Sequence, residues 1–89
     1  MEPNILMERA TATDLPPALA ALWWDARGDW QRAHEAAQSV DTAEGAWVHA
    51  YLHRKEGDLS NADYWYRRAG RRRPAGPLEA EWAEIVAAL

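Results

Sequence analysis

Apolar and small residues recur at spacings of three and four along most of this chain, and polar clusters interrupt them at places where helices end. Asp14 followed by Pro16 and Pro17 has the form of a helix start, since proline is tolerated in a first turn whose N–H groups have no partner. The pattern predicts a first helix from about Leu15 to Arg27, stopped at Gly28. A second follows from Trp30 to Ser39, with Asp29 as N-cap and Trp30, Ala33, Ala37 and Val40 on one stripe. Asp41-Thr42-Ala43-Glu44 resembles a capping box, an aspartate with a glutamate three residues on, and opens a third helix that runs to Glu56. A fourth spans Leu59 to about Gly70 with Ala62, Tyr66 and Ala69 aligned. After Gly76-Pro77, a fifth carries Leu78, Trp82, Ile85, Val86 and Leu89 on its apolar side, the form of a helix that closes the open end of a stack.

Two of the turns are copies. Gly28-Asp29-Trp30-Gln31-Arg32-Ala33 maps onto Gly57-Asp58-Leu59-Ser60-Asn61-Ala62 at an offset of 29 residues. A glycine that can turn left-handed, an aspartate that caps, and an alanine that permits close approach are what a helix needs to stop, reverse and pack on its predecessor. The expected fold is an all-α, antiparallel array of about five helices: two helical hairpins over residues 15–74 and a C-terminal capping helix over 75–89. Residues 1–14 lack a sustained period and end in the small-polar run Ala10-Thr11-Ala12-Thr13. They are expected to form a mobile leader, with a packed arm built on Ile5, Leu6 and Met7 as the rival reading.

The quoted turns, with Ala62, Tyr66, Ala69 and Pro74 at matching spacings, resemble the tetratricopeptide repeat (TPR) family and its Sel1-like relatives; the first copy shortens its second helix. The stretch Trp47 to Asp58 is also similar to one in small uncharacterised bacterial proteins. These likenesses imply a bacterial origin and a helical scaffold that binds a protein or peptide in a groove lined by the first helix of each pair. The positions matching that groove are Leu15, Ala18, Leu22 and Asp25, then Glu44, Trp47, Tyr51, Arg54 and Lys55. The histidines at 49 and 53 depart from the family pattern, which has large apolar residues there.

On a helical wheel, the third predicted helix divides into an arc with Glu44, Trp47, Tyr51, Arg54 and Lys55 and an arc with Val48, Leu52, His49 and His53. The second arc is the expected core. For the first, two readings stand: a partner-binding surface in which aromatic rings supply area and cations engage a carboxylate, or Trp47 packed under the fifth helix with the cations solvated.

At 89 residues the chain makes one domain with a thin core, and its bulk comes from six Trp and three Tyr with no Phe. Cysteine is absent, which excludes disulfides and thiolate metal sites. A net charge of −4 argues against general nucleic-acid binding, although seven of the ten basic residues lie between Arg54 and Arg73. Tyr64-Trp65-Tyr66 beside Arg67, Arg68 and Arg71 to Arg73 has the ingredients of a base-stacking platform. Cations closing a helix end, partly paired with Glu79, Glu81 and Glu84, are the simpler account. No apolar run suits a membrane span, and no basic stretch opens the chain as in a signal peptide; a cytoplasmic protein is expected.

His49 and His53 lie one turn apart on one face, and His34 on the preceding helix could add a third nitrogen. The alternatives are core histidines satisfied by neighbours, or a small-ligand or metal site. His34-Glu35-Ala36-Ala37-Gln38 lacks the second histidine of the metalloprotease pattern. No nucleophile with its base and no phosphate loop is recognisable, so a non-enzymatic protein without a cofactor is expected. A homo-oligomer is a further expectation, because two repeats leave apolar ends to cover.

Overall fold

The computed structural model describes residues 1–89 and is all-helical. Six helices follow in order: α1 Pro3–Glu8, α2 Pro17–Ala26, α3 Trp30–Gln38, α4 Ala43–Glu56, α5 Leu59–Arg68 and α6 Leu78–Ala88. None is long and apolar enough to cross a membrane.

The repeated turn is a repeat in structure as well. Gly28 and Gly57 have φ of 79° and 88°, the left-handed region where a side chain is strained. In the first copy Gly28 N–H donates to the Asp25 carbonyl and Asp29 N–H to that of Trp24; in the second, Gly57 donates to Arg54 and Asp58 to His53. That pairing is a Schellman motif, which satisfies the last carbonyls of the outgoing helix. Asp29 then caps α3 by accepting from Arg32 N–H at 3.0 Å, and Asp58 caps α5 by accepting from Asn61 N–H at 3.3 Å. Ala33 and Ala62, both fully buried, let the paired helices approach.

The cap of α4 differs from expectation. Thr42, one residue beyond Asp41, is the N-cap, and its hydroxyl accepts from Gly45 N–H at 3.0 Å. Gly45 admits the incoming linker: a Cβ there would stand 2.8 Å from Val40 Cγ2 and 3.1 Å from the Val40 carbonyl oxygen.

The helix missing from the expected five is α1. Leu6 is fully buried while Ile5 and Met7 stay exposed, so one residue anchors the segment. Its tail is held by α2, through Trp23 Nε1 donating to the Arg9 carbonyl at 3.0 Å and Arg27 Nη2 donating to the Met7 carbonyl at 3.1 Å. In place of a mobile leader, residues 3–8 form a helix packed on α2 and α6.

The hairpins α2–α3 and α4–α5 pack side by side, and α4 touches α2, α3, α5 and α6. This central position explains why Gly45 through His53 are all buried, on both arcs of the wheel. The α6 helix lies against α2 and α4, the first helices of the two hairpins, and thus fills the place a repeat groove would occupy.

Candidate functional site

The residues expected to line a groove are drawn inward by two buried carboxylates. Glu81 on α6 is 2% exposed. Its Oε2 accepts from Trp47 Nε1 at 3.2 Å, its Oε1 accepts from Arg54 Nη1 at 2.9 Å, and the Tyr66 hydroxyl stands 2.6 Å from Oε2 and 2.8 Å from Oε1. Arg54 also donates to the Gly76 carbonyl. Asp25 on α2 receives the Tyr51 hydroxyl at 2.7 Å and Lys55 Nζ at 2.8 Å. Burial, then the bonded carboxylate, pushes both tyrosine hydroxyls well above their ordinary pKa.

The open surface expected at Trp47, Tyr51, Arg54 and Lys55 is therefore absent. Trp47 and Tyr51 are 5% and 3% exposed, and both cations are spent on internal carboxylates; Glu44 alone of that set is exposed and outside these networks. The physical reason is that Glu81 on α6 takes Trp47 and Arg54 while Asp25 on α2 takes Tyr51 and Lys55.

Tyr64-Trp65-Tyr66 makes no continuous stacking platform either. Tyr66 faces the core, Trp65 packs on His49, and Tyr64 points outward beside Arg68. Of the arginines near the end of α5, Arg68 pairs with Asp41, Arg71 with Glu84 and Arg73 with Asp63, and the Arg71 guanidinium sits over the Trp47 ring at 3.4 Å.

The histidines converge. One nitrogen from each of His34, His49 and His53 lies within 4.8 Å of the other two. The α4 helix places His49 and His53 one turn apart with rings nearly parallel at 4.9 Å, and α3 sets His34 edge-on to His49 at 4.5 Å. Indoles fix two of the planes: Trp30 stacks on His34 at 4.8 Å and Trp65 on His49 at 3.9 Å. Trp30 is itself pinned by Nε1 donating to the Leu52 carbonyl at 3.0 Å.

Hydrogen bonding separates the three rings. His53 Nδ1 lies 2.6 Å from Glu56 Oε1; an ionised carboxylate only accepts, so Nδ1 is the donor in this contact and Nε2 is left free of it. Neither His34 nor His49 has a ring nitrogen hydrogen-bonded within the protein. Because no enclosed polar side-chain atom in the protein lacks a partner, these nitrogens face accessible space. Burial, followed by the neighbouring His34 and His53, pushes His49 down to about 4, and burial with His53 lowers His34. Both rings are therefore neutral at pH 7, the form that ligates a metal.

Three imidazoles without thiolates suit a divalent transition ion. Tetrahedral zinc at about 2.0–2.1 Å from nitrogen places its ligands about 3.4 Å apart, inside the present 4.8 Å bound, so an ion would have to draw the rings together. His53 also lies near Glu56 and Asp58, but Asp58 is already engaged as the cap of α5.

Beside His49 a cleft of about 200 Å³ opens between the end of α3, the linker 39–42, the first turn of α4 and α5. Sequence reasoning found the three histidines but missed what frames them. The Trp30/His34 spacing of four and the His53/Glu56 spacing of three were visible signals; the stacking of Trp65 on His49 bridges two helices and left none.

Comparison with models of protein families, with curated proteins and with solved structures gives no match in any of the three.

In metal-free protein, His49 makes stability pH-dependent. Its folded pKa of about 4 lies below the ordinary 6.5, so its contribution is complete above about pH 6.5 and is lost as pH falls toward 4. Denaturant melts in chelator at pH 7 and pH 5 should show a steeper acid loss for the parent than for His49→Phe. Equal slopes would remove the assignment of His49 as a buried neutral ring.

Proposed function

We propose that this protein is a metal-binding helical domain that holds a divalent transition ion between α3 and α4 through His34, His49 and His53. The observation that carries the reading is the convergence of three imidazole nitrogens within 4.8 Å, two of the rings having no hydrogen-bond partner of their own. A merely structural histidine spends its nitrogens on neighbours. Here only His53 does so, and with the one nitrogen whose engagement by a carboxylate orients the other toward an ion. Such an ion would join the two hairpins, since His34 belongs to the first and the other two ligands to the second.

Calorimetric titration with Zn²⁺ should give one site per chain, and Cu²⁺ should quench tryptophan emission because Trp30 and Trp65 stack directly on two of the ligands. Saturating Zn²⁺ at 100 to 1,000 times its Kd stabilises the fold by about 2.7–4.1 kcal/mol. Both effects should vanish in His34→Ala and His53→Ala. Absence of stoichiometric binding, or a thermal shift indifferent to these substitutions, overturns the proposal.

A further inference from the structure

We infer that the ion, if held as proposed above, is completed by a small oxyanion of the carboxylate or phosphate class that enters the adjoining cleft and bridges the metal to Arg68. The inference rests on the metal-site reading. It adds an exogenous ligand, the direction from which it enters, and the residue that selects its charge.

Three protein nitrogens leave a tetrahedral ion one position for solvent or a ligand. Among the three histidines only His49 lines the cleft of about 200 Å³; it is 5% exposed, and its ring has no hydrogen-bond partner. The cleft is therefore the approach by which an exogenous ligand would reach an ion on His49. The walls carry Gln38, Asp41, Thr42, Trp65 and Arg68, and Thr42 with Gly45 marks the N-terminal end of α4, where the helix dipole favours negative charge. A divalent ion, a guanidinium and a helix N-terminus all draw an anion, against the single carboxylate of Asp41.

The cleft-lining Arg68 already pairs with a carboxylate, that of Asp41. Asp41 Oδ1 stands 3.5 Å from Arg68 Nη2, with the Asp41 side chain 97% exposed and that of Arg68 48% exposed. A pair so open to water is worth little, so an incoming oxyanion displaces it at small cost. Arg68 is fixed independently by its bond to the Tyr64 hydroxyl at 3.1 Å, and a guanidinium presents paired donors that match carboxylate and phosphate oxygens.

The test loads the full chain with Co²⁺, whose visible absorption reports its ligand set, and titrates acetate and inorganic phosphate separately at constant ionic strength. The parent spectrum should change saturably with at least one of them, and the one that acts identifies the class. Arg68→Gln should bind Co²⁺ as the parent does while its anion affinity falls about two- to fivefold, the reach of a half-exposed guanidinium; Asp41→Asn should tighten the anion measurably. If Co²⁺ does not bind through the histidines, the metal-site reading falls and this inference with it. If Co²⁺ binds in a histidine-dependent way but neither anion moves the spectrum, or Arg68→Gln responds like the parent, the oxyanion inference alone is overturned.

Discussion

Glu81→Ala is expected to cost about 3–5 kcal/mol, the usual penalty for leaving one partner of a buried ion pair uncompensated. The Glu81 side chain is 1% exposed and that of Arg54 13%, so water cannot replace the lost carboxylate. Trp47 Nε1 and the Tyr66 hydroxyl lose their acceptor at the same time, and each unmet buried donor adds to the loss. A domain of this size has a total stability of about 5–10 kcal/mol, and its melting temperature moves by about 4–8 °C per kcal/mol. The variant should therefore melt on the order of 20 °C below the parent by circular dichroism. Arg54→Met orphans the opposite charge: Glu81, the more deeply buried partner, keeps the Trp47 and Tyr66 donors but loses its cation, so a loss in the same range of about 3–5 kcal/mol is expected. A Glu81→Ala protein melting within a few degrees of the parent would show that this network does not hold α6 in place.

The helices of both hairpins were legible in the sequence because their signals are local. Gly28-Asp29 and Gly57-Asp58 specify stop and restart within a few residues, and the structure reproduces them bond for bond. The α1 helix was not legible: six residues give too little periodicity to separate a helix from an arm, and only Leu6 contributes to the core. For the histidines, sequence spacing gave His49 with His53, and the preceding helix gave His34. Helical spacing could not reveal that Trp65 stacks on His49, since that contact joins α5 to α4.

The groove was misplaced for a different reason. A helical wheel ranks the faces of one helix by residue type, and Trp, Tyr, Arg and Lys resemble a wet surface because each has an apolar body and a polar tip. In α4 those tips meet Asp25, 26 residues before Tyr51, and Glu81, 34 residues after Trp47. Partners so distant in sequence leave no periodic trace. The low net amphipathicity of α4 was itself the clue that it is covered on all sides, since a helix surrounded by packing presents no single apolar stripe.

Trp47→Ala should cost about 3–5 kcal/mol, the range for deleting a buried indole, and should behave as a core deletion where a groove residue would have left the fold intact. The ring is 5% exposed, with Glu81 bonded at its nitrogen and Arg71 against its face. Truncation leaves a cavity between α4 and α6 and removes one donor from a buried carboxylate. Tyr51→Phe separates the polar part from the packing part, since it keeps the ring and deletes only the hydroxyl that Asp25 accepts at 2.7 Å. Lys55 still neutralises Asp25 in that variant, so the loss should be near 1–3 kcal/mol. Chemical denaturation of the two variants beside the parent gives both differences directly. A Trp47→Ala protein as stable as the parent would return that residue to the surface, and the groove with it.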